Sequence, residues 1–412
     1  MFKFKPLVVA MLTVAAVEAH AANDSEAYVT QDGNRQEATV FQAGQAQYSS
    51  TVQHGDENEV NVEQDGRYND VDGYQNGTGN TLDAKQDGGS NWVDSSSVGS
   101  WNDVDVDQNG SRNGATVDQI DWNNDVVIIQ DDNANDALVI QSGWNNDVTI
   151  EQDGGWLTGN SANAEQVKTE SSQAVIYQDG VLNRASTYQS GSHSTARIDQ
   201  NGTANLAYAE QTGSHNDALV EQSGVFNQAN SYQSGTDGVV SINQNGGYLG
   251  FNYAEADQAG TGNDAMIEQD GSLNNAVAYQ AGADNASTIE QDGLSNRATS
   301  DQTGTDGEVF IEQTGNFNVA TAEQELSNNY AVIEQQGYAN NAVSAQFGND
   351  GQVWIDQSGD LHHASALQQG NDNLADISQT GSQHTAMVGQ YGNTNDAIVT
   401  QLGSANIATI TQ

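Results

Sequence analysis

From Gln31 onward, residues that suit a buried face and residues that suit water alternate with a period of two. A glutamine closes each alternation every eleven residues: Gln31, Gln42, Gln53, Gln64, Gln75, Gln86. Ser97 takes the next slot, the series resumes from Gln108 to Gln152, and after irregular steps to Gln166 and Gln178 it runs to Gln244. A fourteen-residue step leads to Gln258, and an unbroken series then reaches Gln412. Of 35 such register positions all but Ser97 are glutamine, with Gln178, Gln189, Gln200, Gln211, Gln222 and Gln233 in the middle of the chain. Glycine follows two residues later (Gly180, Gly191, Gly202, Gly213), with Asp121, Asp132, Lys168 and Leu326 as exceptions. Asparagine follows five later (Asn183, Asn205, Asn216, Asn227), Ala or Val seven later, and an aliphatic or small residue nine later.

Side chains alternate across a strand, so the Asn, Ala/Val, aliphatic and Gln positions share one face. The glycine, preceded by Asp, Asn or Ser, supplies the positive-φ geometry of a tight turn. A strict two-residue alternation broken by glycine every eleven residues excludes a 3.6-residue helical period. Each unit therefore predicts one strand and one turn.

The repeat doubles at the ninth position, where large and small residues alternate. The large series is Ile176, Ile198, Val220, Ile242, Ile267, Ile289, Ile311, Ile333, Ile355 and Ile377. Between them stand Thr187, Ala209, Ser231, Ala256, Ala278, Ser300, Ala322, Ser344 and Ala366. Strands two apart are alike and neighbours differ, which predicts a coil with one strand in each of two facing sheets. The expected fold is all-β: a β-solenoid of about 17 two-strand rungs, built from 22-residue repeats as parallel, in-register, cross-β sheets. At roughly 4.8 Å per rung it would be ~80 Å long. Gln and Asn would form inward amide ladders, and Ile and Val of one sheet would meet Ala and Ser of the other.

The segment before the repeats differs. Lys3 and Lys5, the apolar run Leu7–Val17 and the small residues Ala19 and Ala21 have the pattern of a secretory signal peptide. Residues 1–21 are read as that leader, cleaved after Ala21, and 22–412 as one solenoid domain. Irregular turns are expected at 153–160 and 245–252, on one edge and four rungs apart; a tolerated loop or an aromatic sugar platform would account for them.

Composition narrows the functional classes. Removing the two lysines and one glutamate of the leader takes the formal charge from −46 to −47, which disfavours nucleic acid and anionic membranes. There is no cysteine, the one proline is Pro6, and no run after the leader is long and apolar enough for membrane insertion. The acidic exterior predicts solubility first and divalent-cation bridging between fibres second. Asp32, Asp65, Asp87, Asp153, Asp179, Asp270 and Asp292, each before a turn glycine, are candidate gatekeepers against premature stacking. Trp122 and Trp144 could stack one rung apart; His193 and His215 are turn residues one rung apart, and His362 and His384 replace ladder asparagines in adjacent rungs. Two histidines without a third ligand make a poor metal site. No nucleophile arrangement, phosphate loop or metal motif stands out, so the expectation is no enzyme and no cofactor.

The spacing Ser172, Gln178, Gly180, Asn183, Ala185, Gln189 resembles the curlin repeat of curli fibre subunits, and the resemblance extends from Ser25 to Gln412. It implies a bacterial protein secreted through the periplasm and an outer-membrane pore, then polymerised with help from a nucleator into extracellular amyloid fibres. Such fibres serve biofilm matrix, adhesion and cell aggregation. This chain has far more repeats than familiar major subunits. Its first repeat lies almost against the expected cleavage site, so the family's separate N-terminal export segment has no counterpart here and the first repeat itself is a candidate for that signal. The chain's main expected partner is itself, head to tail. The docking strands would be Ser25–Gln31, with Ser25, Ala27, Val29 and Gln31, and Ile407–Gln412, with Ala408, Ile410 and Gln412. The alternatives are a nucleator of the same family and a monomeric solenoid used as an adhesive binding surface.

Overall fold

Each eleven-residue unit forms one strand, usually of nine residues, followed by a two-residue corner. The series runs from β1 (Glu26–Asn34) and β2 (Glu37–Gln45) to β34 (Asp396–Ser404) and β35 (Ile407–Thr411). The computed structural model describes residues 24–156, 158–247 and 249–412, so the expected leader lies outside the described residues. The odd strands build one sheet of 18 and the even strands another of 17. Consecutive strands belong to different sheets, so each strand serves as the crossover that a parallel pair requires.

Every ladder is parallel and in register. β14 (Gln173–Val181) pairs with β16 (Thr195–Thr203), placing Ile176 beside Ile198 and Gln178 beside Gln200. β15 (Arg184–Ser192) pairs with β17 (Leu206–Ser214), placing Thr187 beside Ala209 and Gln189 beside Gln211. Like therefore stacks on like, and the 22-residue repeat is one full turn of a solenoid of about 17 turns.

The core is a narrow seam between the sheets. Ile176, Ile198, Val220, Ile242, Ile267, Ile289, Ile311, Ile333, Ile355 and Ile377 all lie on the even sheet and are buried. Facing them on the odd sheet are Ala209, Ser231, Ala256, Ala278, Ser300, Ala322 and Ser344, also buried. Pairing large with small side chains lets two flat sheets close without voids.

The corner corrects the single-turn reading. The strand ladder continues through the glycine, and the chain bends twice, at Gly180 (φ 114°) and again at Leu182 (φ 60°). Residues of every kind occupy the second bend, among them Arg35, Ala204, Phe226 and Asp284. A left-handed conformation costs such residues roughly 1–2 kcal/mol each. It persists because it aims the N–H at the neighbouring rung: Leu182 donates to Gly159 O (3.1 Å), Ala204 to Val181 O (2.9 Å) and Phe226 to Thr203 O (3.0 Å).

Two loops interrupt the series, between β12 (Asp147–Asp153) and β13 (Ser161–Glu170) and between β20 (Val239–Gly246) and β21 (Tyr253–Thr261). Both leave an even strand and so project from the same edge. β13 also slips register against β11 (Asp136–Trp144) and β15, beyond Gln141 and Gln166. The twelve-residue step from Gln166 to Gln178 supplies the extra residue, and Lys168 absorbs it at φ 54°.

Candidate functional site

The register glutamines form two columns, one per sheet, continuous on the even sheet and interrupted on the odd sheet between Gln75 and Ser97. Gln178 Nε2 donates to Gln200 Oε1 and Gln200 Nε2 to Gln222 Oε1, each at 2.8 Å. On the other sheet Gln189 donates to Gln211 (2.8 Å) and Gln211 to Gln233 (2.9 Å). Most Nε2 groups use the second hydrogen on a backbone carbonyl of the opposite sheet, as Gln200 does at Arg184 O (3.1 Å) and Gln222 at Leu206 O (3.0 Å). Only the NH2 end can serve both acceptors, so every amide faces the same way and donates toward the C-terminal end. These bonds matter because a buried amide left unmade costs about 1–3 kcal/mol. Where Ser97 replaces glutamine, its hydroxyl donates to Gln119 Oε1 at 3.0 Å, keeping that step of the column.

The asparagines work mainly on backbone rather than on one another. Asn205 N–H donates to Asn183 Oδ1 (3.1 Å), and Asn183 Nδ2 donates to Gly202 O (3.1 Å) and Asp179 O (3.2 Å). Asn227 N–H likewise meets Asn205 Oδ1 at 3.0 Å, and Asn216 Nδ2 reaches Gly235 O at 3.2 Å. The side-chain amide thus stands in for a missing rung-to-rung contact where the main chain turns away. This role follows from the corner's shape, and the spacing alone gave no sign of it.

Glycine is required between them. A Cβ on Gly180 would stand 2.1 Å from Gly202 O, one on Gly191 1.7 Å from Gly213 O, one on Gly202 2.1 Å from Gly224 O, and one on Gly213 1.9 Å from Gly235 O. Where Asp121, Asp132, Lys168 or Leu326 replaces it, φ falls to between 54° and 81°.

Nine segments match the family model for the curlin associated repeat: 55–88, 122–154, 194–224, 260–293, 284–315, 327–359, 352–381, 370–403 and 384–412. Together they cover more than half of the chain. The chain belongs to the curlin repeat family. No curated protein compared with it matches. Curlin repeats are structural rather than catalytic, and among the described residues no three His, Cys, Asp or Glu gather to hold a metal ion. Nor is any helix there long and apolar enough to cross a membrane.

His362 and His384 replace two of the curlin asparagines and reproduce their bonding. Their rings stack at 5.1 Å, 3° apart. His362 Nδ1 accepts from His384 N–H (3.2 Å) and His384 Nδ1 from Asn406 N–H (3.1 Å), while each Nε2 lies near a backbone carbonyl. Accepting at Nδ1 places the ring proton of each on Nε2, and burial pushes the His362 pKa below its usual range. His193 and His215 stack at 5.0 Å on the opposite edge. Trp122 and Trp144 are ladder partners, but their rings are not among the stacked aromatic pairs of the described residues.

Outward, the curlin rungs stack carboxylates. Glu268, Glu290, Glu312, Glu334 and Asp356 follow one another on the even sheet. Burial first and the neighbouring charges second raise the pKa of Glu290, Glu334 and Asp356. Asp103, Asp125 and Asp147 form a second column, also raised chiefly by burial. The Asp residues before the glycines are exposed, and Asp153 and Asp179, like Asp270 and Asp292, are direct ladder neighbours.

At the ends the pattern stops without a covering element among the described residues. β1 and β2 pair only with β3 (Tyr48–Asp56) and β4 (Glu59–Arg67), and β34 and β35 only with strands on their inner side. Core positions open there: Val29 is 46% exposed, and Ala27 and Gln412 are exposed. Ser25, Gln31, Ala408 and Ile410 are half-buried. Ser25 Oγ accepts from Gln47 N–H at 3.2 Å, as the ladder asparagines do.

Proposed function

We propose that this curlin-repeat chain is a structural subunit that stacks head to tail with copies of itself into an extracellular curli-type amyloid fibre. The observation that carries this reading is the pair of open end rungs. Gln31 and Gln42 offer amide oxygens at one end, while Gln401 and Gln412 offer amide hydrogens at the other, in two ladders of constant direction. A second copy can extend both columns through β1 and β2 on one side and β34 and β35 on the other. Because the strands divide 18 and 17, its odd sheet continues this copy's even sheet after a half-turn about the axis. The contact is heterologous and does not close, so it propagates. In this reading residues 1–21 direct secretion, an outer-membrane pore passes the chain unfolded, a nucleator seeds it, and the fibre serves biofilm matrix and adhesion.

The test is refolding of the chain without its leader from denaturant, followed by electron microscopy and fibre diffraction. Micrometre fibres with a meridional reflection near ~4.8 Å support the proposal. A lasting monomer roughly 80 Å long overturns it and leaves a solitary binding surface as the function.

A further inference from the structure

The two edges of the solenoid carry opposite chemistry. On the edge leaving odd strands, the second-bend position is held by Asp237, Asp284, Asp306, Asp350 and Asp372. On the edge leaving even strands, the same position reads Leu182, Phe226, Phe251, Leu273, Phe317 and Leu361, each between 45% and 56% exposed. Interrupted by Ala204, Ser295 and Ala339, these residues make a ridge of apolar patches: the Phe226 and Phe251 rings stack at 4.8 Å, and Phe317 meets the next rung's Tyr338 at 5.5 Å. Trp156, in the loop after β12, caps one end at 82% exposure. From Val181 to Ala339 neither of the two residues before the corner asparagine is charged on this edge. The strand starts that flank it, from Arg184 to Asn341, carry no carboxylate.

A neutral, apolar ridge on a chain of net charge −46 is not a solubility feature. We infer that it is a lateral docking surface for a second copy of this chain, pairing solenoids side by side edge to edge. Charge selects that partner and orientation. The even sheet's face and the opposite edge repel another copy through stacked carboxylates. This edge has no carboxylate at the bend and few beside it, such as Asp179, Asp270 and Asp292, so two copies can approach along it. Repeat spacing selects it too, because only another solenoid presents side chains at the same rung interval.

Area then decides when pairing occurs. From β12 to β30 (Gln352–Asp360) the ridge spans ten even-sheet rungs. At about 4.8 Å per rung and ~10 Å of width it offers roughly 450 Å² per copy. The resulting ~900 Å² total falls short of the ~1,200–2,000 Å² of a stable specific interface. Single chains therefore pair only weakly, whereas stacked chains, each a half-turn from the last, add a ridge to each edge at every second copy and pair firmly. The inference thus rests on the head-to-tail reading and extends it from single filaments to paired ones.

The test substitutes aspartate, which the opposite edge already tolerates at this bend: Leu182→Asp, Phe226→Asp, Leu273→Asp and Phe317→Asp together. Wild-type fibres should appear as paired or bundled filaments, and variant fibres as single filaments with the same ~4.8 Å reflection. Equal bundling of both, or single filaments in the wild type, overturns the inference. Wild-type filaments that stay single and instead coat neutral phosphatidylcholine vesicles overturn a second copy as the occupant and assign the ridge to a lipid surface. If the chain forms no fibres, the head-to-tail reading fails and sedimentation equilibrium of the soluble chain decides the ridge. A weak dimer that the aspartate variant loses keeps it, and a monomer at every concentration overturns it.

Discussion

The even and odd sheets share one backbone geometry and one register, and differ in what they place in the seam between them. The even sheet contributes Ile or Val at every rung from Ile176 to Ile377, fully packed. The odd sheet contributes Ala, Ser or Thr, and several hydroxyls there, those of Thr187, Ser231, Ser300 and Ser344, are buried without a hydrogen-bond partner. One sheet therefore supplies most of the apolar burial, while the other supplies closeness and carries unmet polar groups. The lesson is that a repeat can look uniform while its two halves do different physical work.

Substitutions on the two sheets should separate those roles. The largest effect is expected from Ile289→Ala on the even sheet. It removes three carbons where neighbouring rungs hold the backbone fixed, so it should cost about 2–5 kcal/mol by denaturant unfolding of the soluble chain. A value near that of Ala278→Gly on the odd sheet would abolish the distinction. Next, Ala278→Ile should be unfavourable by roughly 1–3 kcal/mol through overpacking, although it adds apolar surface. Stabilisation instead would mean that the seam is not closed. Ser300→Ala should act the opposite way, raising stability by up to about 1 kcal/mol because it removes a buried hydroxyl without leaving a partner unmet. A lowered unfolding midpoint would reveal a hydrogen bond that the packing does not provide.

Acidity sharpens the comparison on the outer faces. Glu290, Glu334 and Asp356 have raised pKa values in the folded chain, so the folded state binds more protons than the unfolded one. Stability should therefore increase as pH falls from those raised values toward the ordinary carboxylate range. Replacing Glu290 and Glu334 by glutamine should flatten that rise in midpoint-versus-pH profiles. At the same position on the odd sheet, the column reads Asp257, Tyr279, Asp301, Glu323, Ala345 and is broken. His362 has the opposite sign: its lowered pKa means that stability is lost as pH drops below about 6.5 toward its folded value. His362→Asn should remove that loss, read most directly by hydrogen exchange in β31 (His363–Gln369) to β35.

Much of this architecture was legible in the sequence because the register glutamines recur at fixed steps and the ninth position alternates. Strand number, sheet assignment and the seam all follow from those two columns. The second bend was not legible, because Arg112, Ala204, Leu182 and Phe226 share no chemistry that marks a positive φ. What they share is a backbone N–H aimed at the preceding rung. The asparagine bonds were also hidden, since spacing identifies a column but not whether its amides meet one another or the main chain. The apolar edge emerges only after strands are sorted by sheet, for read in chain order it is interleaved with the aspartates of the other edge.

The uniform direction of the glutamine bonds has an electrical consequence. Backbone bonds between rungs run both ways, forward from Glu26 N–H to Gln47 O and backward from Glu57 N–H to Asn34 O, and their dipoles largely cancel. The side-chain amides do not cancel, because each points its NH2 toward the C-terminal end, and an amide dipole is about 3.5 D. Two such columns run the length of the solenoid, and stacking copies lengthens them without reversing them. Such a filament is electrically polar along its axis, with a partially positive tip at one end and a partially negative tip at the other. Its two tips should add subunits at unequal rates, and filaments should align in an applied field.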